Sequence, residues 1–250
     1  MKKSDAIIQE RSGRGSFVPE DAFTNPILPA LQTRQRRFAL YAGSACKYQT
    51  DVAPFAAVSD HTPEAMRDLH SLLAPGEATY MMGLRNAPPL LAVPGLKFGD
   101  PYPSVQMAFP ENAALPELPR DIEIHPLSCA NAPEMLALIE VAFPGFFRVR
   151  TCEMGRYYGI RSKGQLVAMA GERMAFDRSI EISGVCTHPE HRGHGYAAAL
   201  ITRLLADHRR DGSRSFLHTG ATNHRAIAVY ERLGFVLSHN VAFHRLQRTP

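Results

Sequence analysis

A glycine-containing turn between a strand and a helix is the feature that most constrains how this chain folds. In residues 181–197, EISGVCTHPEHRGHGYA, a β-branched and apolar strand precedes Pro189, which prevents its ladder from continuing. Gly193 and Gly195 carry no Cβ, so a ligand can closely approach the backbone N–H groups of the turn. A helix follows from Tyr196, and its positive end points into the same turn. The pattern predicts an anion-binding site at the start of this helix.

The elements around this turn follow a regular order in the second half of the chain. A strand and a helix come first, and three strands with short turns then form an antiparallel meander. After the helix that follows the turn, a strand, a second helix and two final strands complete the order. The predicted elements are strand 122–125, helix 132–143, strands 157–161, 165–174 and 180–187, helix 196–210, strand 215–219, helix 223–233 and strands 235–238 and 241–245. This order predicts an α+β fold with a mixed, largely antiparallel sheet flanked by helices.

Prolines divide the chain into two regions of different character. Fourteen of the nineteen prolines lie in residues 1–119. We therefore predict an N-terminal Pro-rich α/β domain over residues 1–119 and a second domain over residues 120–250. No catalytic constellation is evident in the first domain, so its predicted role is to pack against the second or to shape the substrate site.

Charge and composition limit the classes of partner. The chain has a net charge of +4, and its positive surplus lies in residues 185–250, which carry nine Lys or Arg against four Asp or Glu, whereas residues 1–184 carry 19 against 20. This surplus favours an anionic ligand near the turn, but the basic residues form no stripe that would favour nucleic acid. No apolar run reaches the roughly 20 residues of a membrane helix, and the first residues lack the long apolar stretch of a signal peptide. The expectation is a cytoplasmic protein with no membrane partner.

The four cysteines are far apart in the sequence. Cys46, Cys129, Cys152 and Cys186 show no pair at metal-ligand or redox spacing. Neither a zinc site nor a disulfide framework is indicated, and free, mostly buried thiols are the default expectation.

Two motifs resemble those of the GNAT superfamily of N-acetyltransferases. Arg192-Gly-His-Gly-Tyr-Ala197 is similar to that family's Arg/Gln-x-x-Gly-x-Gly/Ala core, and the segment NHRAIAVYERLGF at 223–235 resembles its second signature, in the expected order. The similarity covers roughly residues 122–246 and implies a GNAT-like fold. The length would also suit the glycine N-acyltransferase-like branch, in which a diverged half of the same fold comes first. A dinucleotide-binding fingerprint is disfavoured because Ala198 replaces its third glycine and the preceding strands form a meander.

The resemblance implies acetyl-coenzyme A as the acyl donor and no metal. Its pyrophosphate is expected on the turn, and its pantetheine arm on the backbone of Val185 and Thr187, with Asn223 either touching the arm or simply capping its helix. The residues expected at the pyrophosphate are Arg192, Gly193, His194, Gly195, Tyr196 and Ala197. The spacing of His188, His191 and His194 could suggest a metal site, but Gly193 interrupts a loop that is not helical.

The resemblance also implies roles in catalysis. Tyr230 occupies the family position of the general acid that protonates the leaving thiolate, and the Val185 N–H is expected to stabilise the oxyanion. Glu181, four residues before Val185 and predicted to share its face of the strand, is the expected general base, with Glu172 as the alternative. An acyl-cysteine at Cys186 is disfavoured because the pattern supplies no activating histidine.

The expected reaction is direct acetyl transfer to a primary amine of a small molecule or an amino acid. In the loop 144–152, Phe146, Phe147, Arg148 and Arg150 could recognise an aromatic or carboxylate-bearing amine. A non-catalytic coenzyme A-binding regulatory module and a protein N-acetyltransferase are the alternatives. A monomer or a homodimer is expected.

Overall fold

The computed structural model of the chain describes residues 25–86, 91–142 and 144–250, so residues 1–24 of the predicted first domain lie outside it. The helices are α1 (Ile27–Gln32), α2 (Pro63–Leu72), α3 (Ala132–Ala142), α4 (Tyr196–Arg210) and α5 (His224–Arg232). The strands are β1 (Ala39–Ala42), β2 (Ala45–Tyr48), β3 (Ala56–Val58), β4 (Ala78–Leu84), β5 (Leu96–Phe98), β6 (Tyr102–Ala108), β7 (His125–Leu127), β8 (Tyr157–Ser162), β9 (Gln165–Phe176), β10 (Ser179–Thr187), β11 (Arg214–Gly220) and β12 (Val236–Arg248). Short 3-10 helices lie at Arg36–Phe38, Cys129–Asn131, Thr151–Met154 and Pro189–His191.

A nine-stranded sheet forms the centre of the fold. Its order is β4-β12-β6-β11-β10-β9-β8-β7, with β5 paired to β12. β10 and β11 are parallel, and the other pairs in this sheet are antiparallel. β1, β2 and β3 form a small separate sheet, which a bridge between Phe55 and Tyr80 connects to β4. The predicted α+β fold with a mixed, largely antiparallel sheet is confirmed.

Helices cover both faces of the large sheet. Leu200, Leu204 and other apolar residues of α4 pack with Tyr158 of β8, whereas Met135 and Leu138 of α3 pack in a different cluster with the neighbouring Tyr157. Adjacent residues of a strand point to opposite faces, so α3 and α4 lie on opposite sides of the sheet. The helical spacing of the apolar residues in α4 explains this packing, since it places them on one stripe.

The first region shares the large sheet with the second. The predicted boundary at 119–120 lies in the connection between β6 and β7, and β6 lies between β12 and β11. Residues 78–108 therefore supply three strands to the sheet that also contains β10 and β11.

Several boundaries differ from the prediction. The two strands expected at 235–238 and 241–245 are one strand, β12, with a register shift between Leu237 and His239. The strand expected at 122–125 starts at His125, and β2, β3 and β5 were not predicted. Both β2 and β3 are short and buried along their whole length, so neither shows the alternation of a half-buried strand.

The expectation of four free thiols is wrong for two cysteines. Cys129 and Cys152 form a disulfide, with their Cα atoms 5.4 Å apart. The two residues belong to the 3-10 helices on either side of α3, and the return of the chain after α3 brings them together. Cys46 and Cys186 are buried free thiols. Across the described ranges, none of the helices is long and apolar enough to cross a membrane.

Candidate active site

The two parallel strands at the centre of the sheet separate part of the way along their length. β10 and β11 pair from Ser179–Arg214 to Glu181–Phe216 and then diverge, although β10 continues to Thr187 and β11 to Gly220. A cavity of about 710 Å³ lies in this gap, between the strands, the start of α4 and the side of α5. The backbone of β10 beyond Glu181 is therefore available to a ligand in the gap.

A bulge interrupts β10 within the gap. Ser183 pairs with Gly171 of β9 and Cys186 with Met169, so Gly184 and Val185 have no register partner on β9. Gly184 has a φ of +62°, a conformation that favours glycine. The backbone of Val185 thus stands outside both neighbouring ladders and lines the cavity. An N–H group in this position can donate to a ligand.

The glycine turn forms one end of the cavity. Gly193 and Gly195 have φ values of +89° and +76°, and Gly195 is the N-cap of α4. α4 has no acidic residue in its first turn and no side-chain cap, so its first N–H groups are left for a ligand. Arg192, Gly193, Gly195, Tyr196 and Ala197 line the cavity.

His194 is the member of the predicted turn that does not line the cavity. Its ring stacks on Tyr196 with centroids 5.5 Å apart, and its Nδ1 lies 3.1 Å from the His191 carbonyl oxygen. Within the described residues, no group of three His, Cys, Asp or Glu side chains could hold a metal ion.

The charge of the cavity suits a phosphorylated ligand. Arg192, Arg225 and Arg232 line it, and its lining among the described residues includes no Asp or Glu. Together with the free N–H groups of the turn, these cations fit the phosphates of coenzyme A.

α5 places both residues of its predicted motif at the cavity. The Asn223 Oδ1 accepts a hydrogen bond from the Ala226 N–H at 3.2 Å, so Asn223 is the N-cap, and its side chain also lines the cavity. Tyr230 is buried, and burial raises the pKa of its phenol to about 12. Tyr230 therefore keeps its proton near neutral pH and can act as a hydrogen-bond donor.

The structure places Glu181 away from the cavity surface. Its side chain is fully buried and is absent from the cavity lining. Arg173 Nε lies 2.8 Å from its Oε2 and Arg173 Nη2 2.5 Å from its Oε1, and the Met174 N–H reaches Oε2 at 3.3 Å. Burial opposes ionisation of this carboxyl, but Arg173 and His218 outweigh it and lower its pKa to about 2. A carboxylate in this state is a poor direct acceptor for the proton of an amine.

The bulge explains why the strand pattern misplaces Glu181. Counting in steps of two puts Glu181 and Val185 on one face, but the extra residue near Gly184 breaks the alternation between them. The alternative, Glu172, is also engaged, because its Oε1 lies 2.5 Å from Arg156 Nε and 3.1 Å from His208 Nε2. Burial favours the neutral acid, yet bonds from His208 and from the Arg156 N–H leave the pKa of Glu172 lowered.

His218 of β11 is a site residue that the sequence reasoning missed. It lines the cavity, and its Nδ1 lies 2.7 Å from Glu181 Oε1. Its Nε2 lies 3.1 Å from Nε2 of Gln106 on β6. The available signal was a lone imidazole in the apolar strand around 214–220, but the pairing of Glu181 with Phe216, two residues before His218, was needed to connect it to Glu181.

Only one of the four residues suggested for acceptor recognition reaches the cavity. Phe146 lines it, whereas Phe147 is buried with its ring 5.7 Å from that of Tyr157. Arg148 donates to carbonyl oxygens of its own loop, Gly145 and Phe147. Arg150 is paired with Asp51 and Glu153.

Cys186 lines the cavity but is poorly suited to form an acyl-cysteine. Burial raises the pKa of its thiol to about 12, which disfavours the nucleophilic thiolate.

Comparison with known proteins identifies a family. Residues 127–235 match the model of the acetyltransferase (GNAT) family. A solved structure of a GNAT-family protein from Novosphingobium aromaticivorans is 32% identical, with 91% of this chain and 99% of that chain covered and a TM-score of 0.80. A GCN5-related N-acetyltransferase from Kribbella flavida shares the fold at 18% identity, with 92% and 95% covered and a TM-score of 0.60. Another from Sphaerobacter thermophilus does so at 15% identity, with 83% and 78% covered and a TM-score of 0.52. No curated protein matches the chain.

Proposed function

The chain belongs to the GNAT family of acetyltransferases, and from that membership we propose that it transfers an acetyl group from acetyl-coenzyme A to the primary amine of a small molecule or an amino acid. The observation that carries the proposal is the continuous cavity that joins the glycine turn, the unpaired backbone of β10 and the phenol of Tyr230. The same cavity thus contains an anion site, unpaired strand backbone and a proton donor.

The turn and β10 would hold the donor. The turn Arg192–Ala197 would hold the pyrophosphate on the N–H groups from Gly193 onwards, including that of His194, whose side chain turns away, while the Arg192 N–H is donated to the Pro189 carbonyl at 3.4 Å. Val185 and Thr187 offer backbone to the amide groups of the pantetheine arm, and Asn223 borders the same space. From Thr187 back to Val185 this track measures roughly 7 Å at about 3.3 Å per residue. Acetyl-coenzyme A supplies an activated thioester at its end.

Residues at the end of the track assist the transfer. The amine nitrogen forms a bond to the thioester carbon as the carbon–sulfur bond breaks, giving an amide and a thiolate. The Val185 N–H donates to the carbonyl oxygen while negative charge develops there. The Tyr230 hydroxyl donates to the departing sulfur, and its raised pKa makes it a hydrogen-bond donor first and a proton source second.

We propose that His218 receives the proton of the amine and that Glu181 positions it. An imidazole can exchange a proton near neutral pH, whereas a carboxyl with a pKa of about 2 cannot. With the Nδ1–H donated to Glu181, the acceptor lone pair lies on Nε2, and the Gln106 amide, whose Nε2 lies 3.1 Å from it, has to move aside before the amine proton can reach this nitrogen. Nε2 then takes up the proton, and the protonated ring stays paired with the Glu181 carboxylate. In this proposal His218, which Glu181 positions, takes the role of general base that was expected of Glu181 itself.

We also propose a role for the first region of the chain. The first region, residues 1–119, shapes the acceptor side of the cavity, to which its Tyr102 and Ser104 contribute. The length of the chain before β7 would suit the glycine N-acyltransferase-like branch. A cytoplasmic location and a monomeric or homodimeric state remain predictions of the sequence.

Two measurements test the proposed function against a coenzyme A-binding module without catalysis. Calorimetric titration with acetyl-coenzyme A should show saturable binding, and absence of heat at millimolar ligand would contradict both readings. Coenzyme A release with a panel of amines, including an N-terminal peptide, separates an enzyme from a module. In an enzyme limited by thiolate departure, Tyr230→Phe should lower kcat by about 10- to 100-fold and leave donor affinity unchanged.

A further inference from the structure

One end of the cavity is walled by aromatic rings, and we call it the acceptor chamber. It lies where β10 and β11 separate, next to Ile182 and beyond Val185, and so past the thioester end of the proposed donor track. Its lining residues are Tyr102, Ala142, Phe146, Arg173, His218 and Phe243. These residues come from six different elements or loops, so the chamber is formed by the complete fold.

Ring contacts make the wall of the chamber continuous. The rings of Phe146 and Phe243 are 5.7 Å apart, and Phe55 lies behind them at 5.3 Å and 6.0 Å. The ring of Phe243 is also 5.7 Å from that of His218. Phe146 and Phe243 are too close for a third ring to enter between them, so a ligand must pack against their exposed surfaces. Aromatic partners gain energy in such edge and offset contacts.

The charges of the chamber oppose a second cation. Arg173 lies over the ring of Phe55, 4.7 Å from its centroid, and its partner Glu181 is fully buried and absent from the lining. Among the described residues of the chamber there is no carboxylate to compensate a positive group on the acceptor. An ammonium group beyond the reacting one would therefore lie beside Arg173, which already covers the faces of Phe55 and Phe146, with no carboxylate in the lining to offset the repulsion.

The position of Phe146 is set by the segment that follows it. The Arg150 N–H donates to the Asp51 carbonyl at 2.9 Å, and the Thr151 Oγ1 donates to the Val52 carbonyl at 2.7 Å. The Cys129–Cys152 disulfide closes the same segment onto the start of α3. The loop that carries Phe146 is therefore anchored on its C-terminal side, and the aromatic wall can discriminate by shape.

From these features we infer that the acceptor is a monoamine carried on an aromatic ring, with the ring against Phe146 and Phe243 and the amino group towards His218. This inference rests on the proposed acetyl transfer and specifies its acceptor. Diamines, polyamines and basic peptides do not fit, because their further cations would lie in the aromatic, carboxylate-free chamber.

Matched amines test the inference with acetyl-coenzyme A as donor. 2-Phenylethylamine should exceed 2-cyclohexylethylamine in kcat/KM by about 3- to 10-fold, the value of an aromatic contact. Butylamine should exceed 1,4-diaminobutane by at least about tenfold, because of the uncompensated charge. Equal rates within the first pair, or faster acetylation of the diamine, would overturn the inference while leaving the transferase intact.

Two substitutions in the loop that carries Phe146 test whether this ring causes the preference for the aromatic amine. Phe146→Leu should raise KM for 2-phenylethylamine several-fold more than for 2-cyclohexylethylamine, with KM for acetyl-coenzyme A unchanged. Val149→Ala is the matched control, since Val149 lies on the same loop, is exposed and does not line the cavity. An equal effect of Phe146→Leu on both amines would contradict the aromatic contact.

A separate binding measurement distinguishes failure of the inference from failure of the proposed function. If no amine releases coenzyme A, the proposed function fails. Calorimetric titration of the coenzyme A complex with 2-phenylethylamine then still tests whether the acceptor chamber binds an aromatic amine. Binding that Phe146→Leu weakens supports the inference, and absence of binding overturns it.

Discussion

Arg173 Nε lies 2.8 Å from Glu181 Oε2 in a pair that is almost wholly buried, and this pair holds His218 at the cavity. Glu181 Oε1 is within hydrogen-bond distance of both Arg173 Nη2 and His218 Nδ1. One negative charge thus balances a buried cation and orients an imidazole. Changes to Glu181 should consequently affect folding as well as turnover.

We expect Glu181→Gln to lower the free energy of unfolding by about 3–5 kcal/mol, because it leaves Arg173 buried without its counter-charge. Urea unfolding of the two proteins at neutral pH measures the difference. Glu153→Gln, which removes the partly exposed partner of Arg150, is the control and should cost less than about 1 kcal/mol. Equal losses in the two variants would show that Arg173 does not depend on its partner.

The same carboxyl should make stability depend on acid pH. The folded-state pKa of Glu181 is lowered from 4.5 to about 2, so its contribution is present above pH 4.5 and is lost as the pH falls towards 2. A shift of this size corresponds to about 3 kcal/mol. Unfolding midpoints measured between pH 6 and pH 2 should fall less steeply for Glu181→Gln than for the natural protein. A parallel fall would contradict the low pKa.

Gly195→Val should weaken binding of acetyl-coenzyme A by more than about tenfold, since the new side chain enters the anion site and crowds the phosphates. Gly164→Val is the matched control: Gly164 has a φ of +84° in a hairpin turn, and a Cβ there meets nothing within 4 Å. Both variants carry a similar conformational cost of about 1–2 kcal/mol. Calorimetry should therefore separate loss of ligand contact from loss of stability.

His218→Asn should lower kcat/KM by about 10²- to 10⁴-fold at neutral pH if the imidazole takes up the proton. The deficit should shrink at a pH above the pKa of the amine, where the amine is already neutral in solution. Rates of coenzyme A release across this range test the role, and His224→Asn, on an exposed histidine outside the cavity lining, controls for the substitution. A constant deficit at all pH values would indicate positioning of the acceptor instead.

Removal of the disulfide should loosen the loop that carries Phe146. For a bridge spanning 23 residues, chain entropy predicts a loss of about 3 kcal/mol in Cys129→Ser. KM for the acceptor should rise while KM for acetyl-coenzyme A stays the same. Reductant should reproduce both effects in the natural protein and have no further effect on Cys129→Ser.

Local sequence signals were enough to predict the glycine turn and the helix that begins after Asn223. Gly193 and Gly195 determine a turn through their own backbone, and Asn223 caps the helix that carries Tyr230, so these features depend on few neighbours. The acceptor side depends on distant pairing. Glu181 meets Arg173 across the β9–β10 hairpin and His218 across the parallel ladder, and the bulge at Gly184 changes which face each residue occupies. Periodicity in one strand contains no information about either effect.

Strand β12 lies between β4 and β6, although these two strands come from the first half of the chain and β12 follows about 130 residues after β6. The ribosome releases residues 78–108 long before 236–248, so β4 and β6 wait for the strand that joins them. Contacts of such sequence separation form slowly. Phe243 belongs to β12, whereas the glycine turn and Tyr230 precede it. The wall that Phe243 contributes to the acceptor chamber is therefore complete only once β12 has joined β4 and β6.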